Sequence, residues 1–305
     1  MNSSPTDSPR IPFVCSGEEP AVDFRHELLY EDANTAVLAK SGNLPCHPSG
    51  RYRHNTAEGL LRREHGYDGV HFVSRLDRET SGCVLVARTP EAAAWYGKEM
   101  MRHRISKEYL CIARGDWEPE AIAALAIGAD GAPESPAENG SVDLYGRICA
   151  VHDEIVHKSR RFERWYSRSA WEAVSNEGHE AACTRIRRLS WESVGVDGGR
   201  VPGYVLLACE PLTGRTHQIR ATIRGVGLEV VGDKLYGPDR TIYARLCEGR
   251  MTEADRAVLR LNRQALHAWR LRFRLYGSAA DAPLLTTEAS PARLLADFVA
   301  ACARQ

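Results

Sequence analysis

Apolar runs along the chain are short, and polar breaks separate them. Leu28-Leu29-Tyr30 and Ala36-Val37-Leu38-Ala39-Lys40 come first. Gly82-Cys83-Val84-Leu85-Val86-Ala87 follows, apolar on both faces. Lys107–Arg114 (KEYLCIAR), Ala182–Leu189 and Tyr204–Cys209 have the same form. Runs of this length, rich in Val, Ile, Leu and Cys and bounded by turn-forming residues, predict strands. Helix starts lie between them. Thr89-Pro90-Glu91 offers a cap, a proline suited to the first turn and an acid at the positive end of the dipole. Ala93, Tyr96 and Met100 then recur at helical spacing, and helical signals return at Thr252–Leu261 and at Ser290-Pro291. Clustered strands with scattered helices, and no repeat of fixed period, predict an α+β domain with a mainly antiparallel sheet.

Residues 1–26 are rich in Ser, Pro and Glu and are expected to form a flexible tail, leaving 27–305 as one domain. Within it, 116–180 is a variable, insertion-like segment. Its Lys158–Arg168 stretch interleaves five basic residues with three aromatics. Aromatics can stack on bases while cations hold phosphates. An amphipathic surface segment with its aromatics turned inward has the same pattern.

Forty basic residues balance forty acidic ones, so no global field announces a nucleic-acid partner, and local clusters must carry any such binding. Arg102, Arg104 and Lys107 form one such cluster, although basic residues in a last helical turn also serve as plain capping. Nine cysteines are scattered, odd in number and never spaced CxxC. That usage points to a reducing, cytoplasmic compartment without disulfides or a thiolate metal site. The N-terminus lacks the form of a secretory signal, and no run is long enough to span a bilayer.

Two polar blocks carry the candidate chemistry. HFVSRLDRETSGCVLVAR, over His71–Arg88, sets Asp77 between Arg75 and Arg78 just before an apolar strand, so the acid stands on a stiff support. LTGRTHQIR, over Leu212–Arg220, continues to VGDKLYG at Val231–Gly237. Together they resemble the RluA family of pseudouridine synthases, whose marks are an HRLDxxTSG block and a GRTHQIR block followed by a GDxxYG turn. Lys40, Leu44–Pro48 (LPCHP), Lys107–Tyr109, Ala181–Thr184 and Arg263–Ala268 (RQALHA) extend the resemblance in order over about residues 27–275. One departure is that Ser74 stands where the family usually has His.

The resemblance implies the pseudouridine synthase core, a bent mixed sheet flanked by helices and loops. It also implies an RNA partner, tRNA or rRNA, and Asp77 as nucleophile on a flipped-out uridine, by attack on either the base or the sugar. Isomerisation moves the sugar from the base nitrogen to carbon 5 with no net change except a proton exchanged. A single carboxylate therefore serves, and no metal, nucleotide or redox cofactor is expected. Tyr109, in its KxY context, is expected to stack on the target base. Arg75 is expected to fill the gap the base leaves, with Arg220 among the RNA contacts and Leu76 and Ile219 as apolar pocket walls.

A buried carboxyl needs a cation to remain ionised, and Arg75, Arg215 and Arg220 are candidates. Thr216 as a helix cap would put His217–Arg220 in the first turn and Arg215 just ahead of it, which makes Arg215 the expected partner of Asp77. The stretch before Lys40 has no room for a separate small RNA-binding domain, so recognition is expected to fall on the catalytic domain, acting as a monomer. Two other classes stay open. One is a non-catalytic RNA-binding protein on the same fold. The other is a two-carboxylate hydrolase pairing Asp77 with Asp233 or Glu79.

Overall fold

The computed structural model describes residues 19–118, 136–156, 159–167, 179–196 and 201–303, with 120 and 122, and omits side-chain detail for 145–156, 159–167 and 179–180. In chain order the elements begin with β1 (His26–Glu31), β2 (Thr35–Lys40), α1 (Ala57–His65), β3 (His71–Phe72), β4 (Ser81–Ala87), α2 (Pro90–Met101) and β5 (Ser106–Arg114). Then come β6 (Val142–Val156), β7 (Ser159–Ser167), β8 (His179–Leu189), β9 (Tyr204–Pro211), α3 (Gln218–Gly225) and β10 (Glu229–Val230). The last are α4 (Ile242–Cys247), α5 (Glu253–Leu259), β11 (Leu266–Phe273), β12 (Leu285–Glu288) and α6 (Ala292–Ala303).

One sheet runs β1-β2-β4-β11-β5-β9-β8-β6-β7, with β3 on β4, β10 on β5 and β12 on β11. Among the described residues the β4–β11 pair is parallel, with Ser81 opposite His267 and Gly82 opposite Ala268, and every other pair is antiparallel. Gly82 is required there. Its φ is +106°, and a Cβ would lie 2.1 Å from the Ala268 carbonyl oxygen. The fold class is α+β, as the pattern predicts.

Alternation along the strands divides the core. Val84, Val86, Tyr109, Cys111, Val205 and Leu207 face one side, against Leu60 and Leu61 of α1 and Ile219 and Ile223 of α3. Cys83 and Leu85 face the other side, under Ala92 and Tyr96 of α2. Leu110, Ile112, Leu206 and Ala208 do likewise, under Leu294 and Phe298 of α6.

One boundary differs from the sequence expectation. The stretch 19–25, assigned to the flexible tail, is held in place: Glu19 accepts from the His54 and Asn55 amides at 2.7 and 3.0 Å, and Phe24 packs on the core. Residues 1–18 lie outside the described residues. In the insertion-like segment β6 and β7 form a hairpin at one end of the sheet, and the side chains of the basic–aromatic stretch lie outside the described residues.

Candidate active site

Asp77 sits in the turn that leads into β4, where the Thr80 amide bonds back to its carbonyl at 3.1 Å. β4 is an inner strand between β2 and β11, so the turn is anchored by fully buried backbone. Lys40, at the end of β2, is 2% exposed and donates to the carbonyls of Ser41 (3.1 Å), Arg78 (3.2 Å) and Thr80. It thereby ties down the backbone on both sides of the acid. Burial pulls the Lys40 amine down to about 8, against the opposing pull of Cys46 and Asp77.

Arg220, in the first turn of α3, reaches the acid. Its Nη1 donates to Asp77 Oδ2 at 2.8 Å. Its Nε and Nη2 hold Asp233 in a two-pronged pair at 2.6 and 2.8 Å. Asp233 is 1% exposed, and its Oδ1 also accepts the amides of Leu235 and Tyr236, each at 2.9 Å. The Arg220 guanidinium carbon lies 4.9 Å from the centre of the Tyr236 ring, and Tyr236 Oη is 3.0 Å from His217 Nδ1. The tight turn before Asp233 depends on Gly232, whose φ is +75° and whose Cβ would meet the Arg263 carbonyl oxygen at 2.0 Å.

Gln264, just before β11, supplies the second donor to Asp77. Its Nε2 is 3.3 Å from Oδ2 and 2.6 Å from Thr80 Oγ1. Both contacts fall on one oxygen. Asp77 Oδ1 has no hydrogen-bond partner among the described residues. The side chain is about a third exposed (32%), so this free oxygen belongs to a carboxylate reachable from solvent.

Burial works to raise the carboxyl pKa. The charges of Arg220 and His217, with the Gln264 and Arg220 hydrogen bonds, outweigh it and hold Asp77 at about 2. An ionised carboxylate with one oxygen clamped and one free is a positioned nucleophile or base.

Tyr109, on β5, is 7% exposed and packs in the same core cluster as Leu76 and Ile219. Burial first, then the negative charge of Asp77, raises its phenol pKa, so the ring presents a protonated hydroxyl. Leu76 and Ile219, 9% and 6% exposed, are apolar neighbours as expected. Arg75 is exposed, with its Nη1 3.1 Å from His47 Nε2. An arginine only donates, so that imidazole nitrogen accepts, and the His47 proton sits on Nδ1. Burial, and then the charge of Arg75, lower the His47 pKa against a raising pull from Glu58.

Several expected assignments change. Arg215 is not the cation paired with Asp77: its Nε donates to the Ala181 carbonyl at 2.9 Å, and Arg220 makes the ion pair. The reason is the helix start. Thr216 does not cap α3. His217 occupies that position in the left-handed region (φ 58°), and α3 begins at Gln218, whose Oε1 accepts from the Arg215 amide at 3.0 Å and the Thr213 hydroxyl at 2.7 Å. That start directs Arg220 inward.

Arg220, expected among RNA contacts, is accordingly 8% exposed between two aspartates. Arg102 and Arg104 pair with Glu99 at 3.3 and 3.5 Å, at the end of the helix packed on the opposite sheet face from Tyr109. They are not brought to the Asp77 turn. Lys107 lies two residues before Tyr109 in β5, half-buried, with its pKa lowered by burial.

Gln264, Asp233 and His47 lie within blocks that mark the family resemblance, but no local pattern assigns them their roles. Glu79 and Asp233, the possible second acids of a hydrolase, are both committed. Glu79 Oε2 accepts from Lys234 at 2.8 Å and the Gln264 amide at 3.2 Å, and Asp233 is saturated as described. Neither is placed to activate a water.

Comparison with known proteins was made on the whole chain. The profile of the family described as RNA pseudouridylate synthase matches residues 34–224. The chain is 28% identical over 246 residues to the mitochondrial tRNA pseudouridine(32) synthase of Saccharomyces cerevisiae, covering 80% of this chain and 44% of that protein. It is 29% identical over 248 residues to ribosomal large subunit pseudouridine synthase C of Escherichia coli, covering 81% and 61%. It thus spans about half the length of these curated relatives. Among solved structures, human RNA pseudouridylate synthase domain containing 4 superposes with a TM-score of 0.57 at 18% identity, over 90% of this chain and 92% of that one. That likeness bears on the fold.

Proposed function

The chain belongs to the RNA pseudouridylate synthase family, and from this premise we propose that it converts a uridine in structured tRNA or rRNA to pseudouridine, with Asp77 as nucleophile. The observation that carries the reading is the state of Asp77: ionised at about 2, clamped through Oδ2 alone, and bare at Oδ1. In the reaction the bond from C1′ to N1 breaks, the uracil turns, and a bond from C1′ to C5 forms. The proton on C5 is lost and N1 gains one. Asp77 adds and leaves within the cycle, and Arg220 keeps its departing form a stable anion.

Tyr109 supplies an aromatic face beside the acid, and Leu76 and Ile219 exclude water. Flipping a base from its stack costs a few kcal/mol. Arg75, exposed two residues from the nucleophile, is the cation we assign to the RNA at this mouth. Lys107 is a second candidate contact. The relatives named above include both a tRNA and a ribosomal RNA enzyme, so both substrate classes are carried forward. Cysteines 46, 83, 111, 183 and 209 are buried and outside any disulfide among the described residues, and we carry forward a reducing compartment on that usage.

The test is tritium release from tRNA and rRNA fragments labelled at C5 of uridine, with wild-type protein and Asp77→Asn. Release by wild type alone, with no free uracil, is expected. Free uracil in the products would instead mean hydrolysis. Tight RNA binding without release from any fragment would leave a binding protein.

A further inference from the structure

Away from Asp77, His26 at the start of β1 meets Glu64 and His65 at the end of α1. The two Nε2 atoms lie 2.8 Å apart, and Glu64 Oε2 lies 3.9 Å from His26 Nε2. All three donor atoms fall within 4.8 Å of one another. His26 Nδ1 is 2.9 Å from the Phe24 carbonyl oxygen, which can only accept, so the ring proton is on Nδ1 and Nε2 carries a lone pair. A backbone carbonyl fixing the far nitrogen in this way is the usual second contact of a metal-binding histidine.

From this geometry we propose that His26, Glu64 and His65 form a zinc(II) site that ties the edge strand β1 to the end of α1. Zinc takes imidazole nitrogen at about 2.0–2.1 Å and carboxylate oxygen at about 2.0–2.2 Å, so tetrahedral donors stand roughly 3.3 Å apart. The two imidazoles need to open by about half an ångström, and the carboxylate to close on His26 by about as much and on His65 by up to about 1.5 Å, through side-chain rotation. Water takes the fourth position.

Two further features favour a cation. A hydrogen bond between the histidines accounts for two of the residues but leaves the Glu64 carboxylate beyond bonding distance. His65 is the last residue of α1, where the helix dipole is negative.

The site is structural. α1 is nine residues long, so its C-terminal end lies about 12 Å from its N-terminal end, where Thr56 caps the helix beside the Cys46–His47 loop. β1 is an edge strand paired with β2, and zinc would staple it to that helix.

The test uses the full chain, stripped of metal and titrated with zinc chloride and, separately, cobalt(II). One saturable site is expected, with Kd in the low micromolar range or tighter and a rise in Tm on saturation. The cobalt form should show the visible bands of a tetrahedral ion. His65→Gln should weaken binding by on the order of 100-fold and erase those bands. Glu64→Gln, on an exposed side chain that leaves the fold intact, should weaken it by about 10-fold. Magnesium should not compete, being a hard ion poorly served by imidazole. The proposal is overturned if zinc does not saturate one site, or if binding persists unchanged in both variants and so belongs to thiols elsewhere.

Discussion

Among the described residues two arginines are each clasped between two aspartates, and one of these clasps belongs to the candidate active site. Arg220 holds Asp233 through two bonds and Asp77 through one. Arg245 holds Asp255 through two bonds, at 2.9 and 2.5 Å, and Asp239 through one at 2.8 Å. The side-chain chemistry is the same, but the outer groups differ.

In the second clasp the acids are spent on local structure. Asp255 completes a capping box with Thr252 at the start of α5, and Asp239 also accepts from the Thr241 amide and hydroxyl. In the first clasp Asp233 is equally saturated, yet Asp77 keeps one oxygen bare. Arg220 is 10% exposed in its side chain, against 25% for Arg245. What sets the first clasp apart is that it is buried on one side and incomplete on the other, the arrangement on which the proposed nucleophile rests. Asp255 is itself buried, so solvent screens the second clasp mainly on the side of Asp239, whose side chain is 43% exposed.

Substitutions can break that comparison. Asp77→Asn should lower isomerisation by on the order of 10³-fold or more, and lower Tm less than Arg220→Ala does. Normal turnover by this variant would falsify the assignment of the nucleophile. Arg220→Ala should be the most destabilising change in either clasp. It strands buried Asp233, at a cost of about 3–5 kcal/mol in a denaturant titration. Arg245→Ala should lower Tm far less and leave the rate of tritium release intact. Equal losses would show that burial does not separate the two.

Acid should separate the regions as well. His267 is 4% exposed, accepts from Ser81 Oγ through Nδ1 at 2.8 Å and donates through Nε2 to the Ala289 carbonyl at 2.9 Å. Burial lowers its pKa from 6.5 to about 4, so it is neutral in the folded state. Between those values the unfolded chain holds a proton that the folded chain does not, so stability rises with pH. The protein should be fully supported by this group above about pH 6.5 and lose roughly 3 kcal/mol as pH falls to 4. Denaturant titrations across that range should show the loss, and His267→Gln should flatten it. Asp77, held at about 2, should contribute no acid limb to activity over the same interval. The smallest effect is expected for Arg215→Ala, less than tenfold in rate. A loss as large as that of Arg220→Ala would return Arg215 to the chemistry.

Much of the frame was legible beforehand. The apolar run at 82–87 is β4, KEYLCIAR is β5 with one residue added, and the Thr89-Pro90-Glu91 start is the observed start of α2, where Thr89 accepts from the Ala92 amide at 3.2 Å. Local patterns carried these elements, because alternation, capping and chain stiffness act within a few residues. Motif resemblance singled out Asp77 and Tyr109, and the structure sets them close enough for the Asp77 charge to raise the Tyr109 phenol.

The partner of Asp77 was not. Choosing between Arg215 and Arg220 depended on where α3 begins, and there the first helical side chain, Gln218, takes the Arg215 amide and the Thr213 hydroxyl on its Oε1 in place of a Thr216 cap. Arg102 and Arg104 looked like phosphate contacts because sequence proximity to Lys107 says nothing about which sheet face a helix covers.

By itself, then, the sequence determined many of the strands and helices and pointed to Asp77 as the acid, since these follow from short-range pattern. Only the tertiary structure decided which arginine keeps that acid charged. Asp77, Arg220, Asp233 and Gln264 lie far apart along the chain, and the electrostatic balance among buried charges depends on distances that exist only once β4, α3 and β11 have packed together.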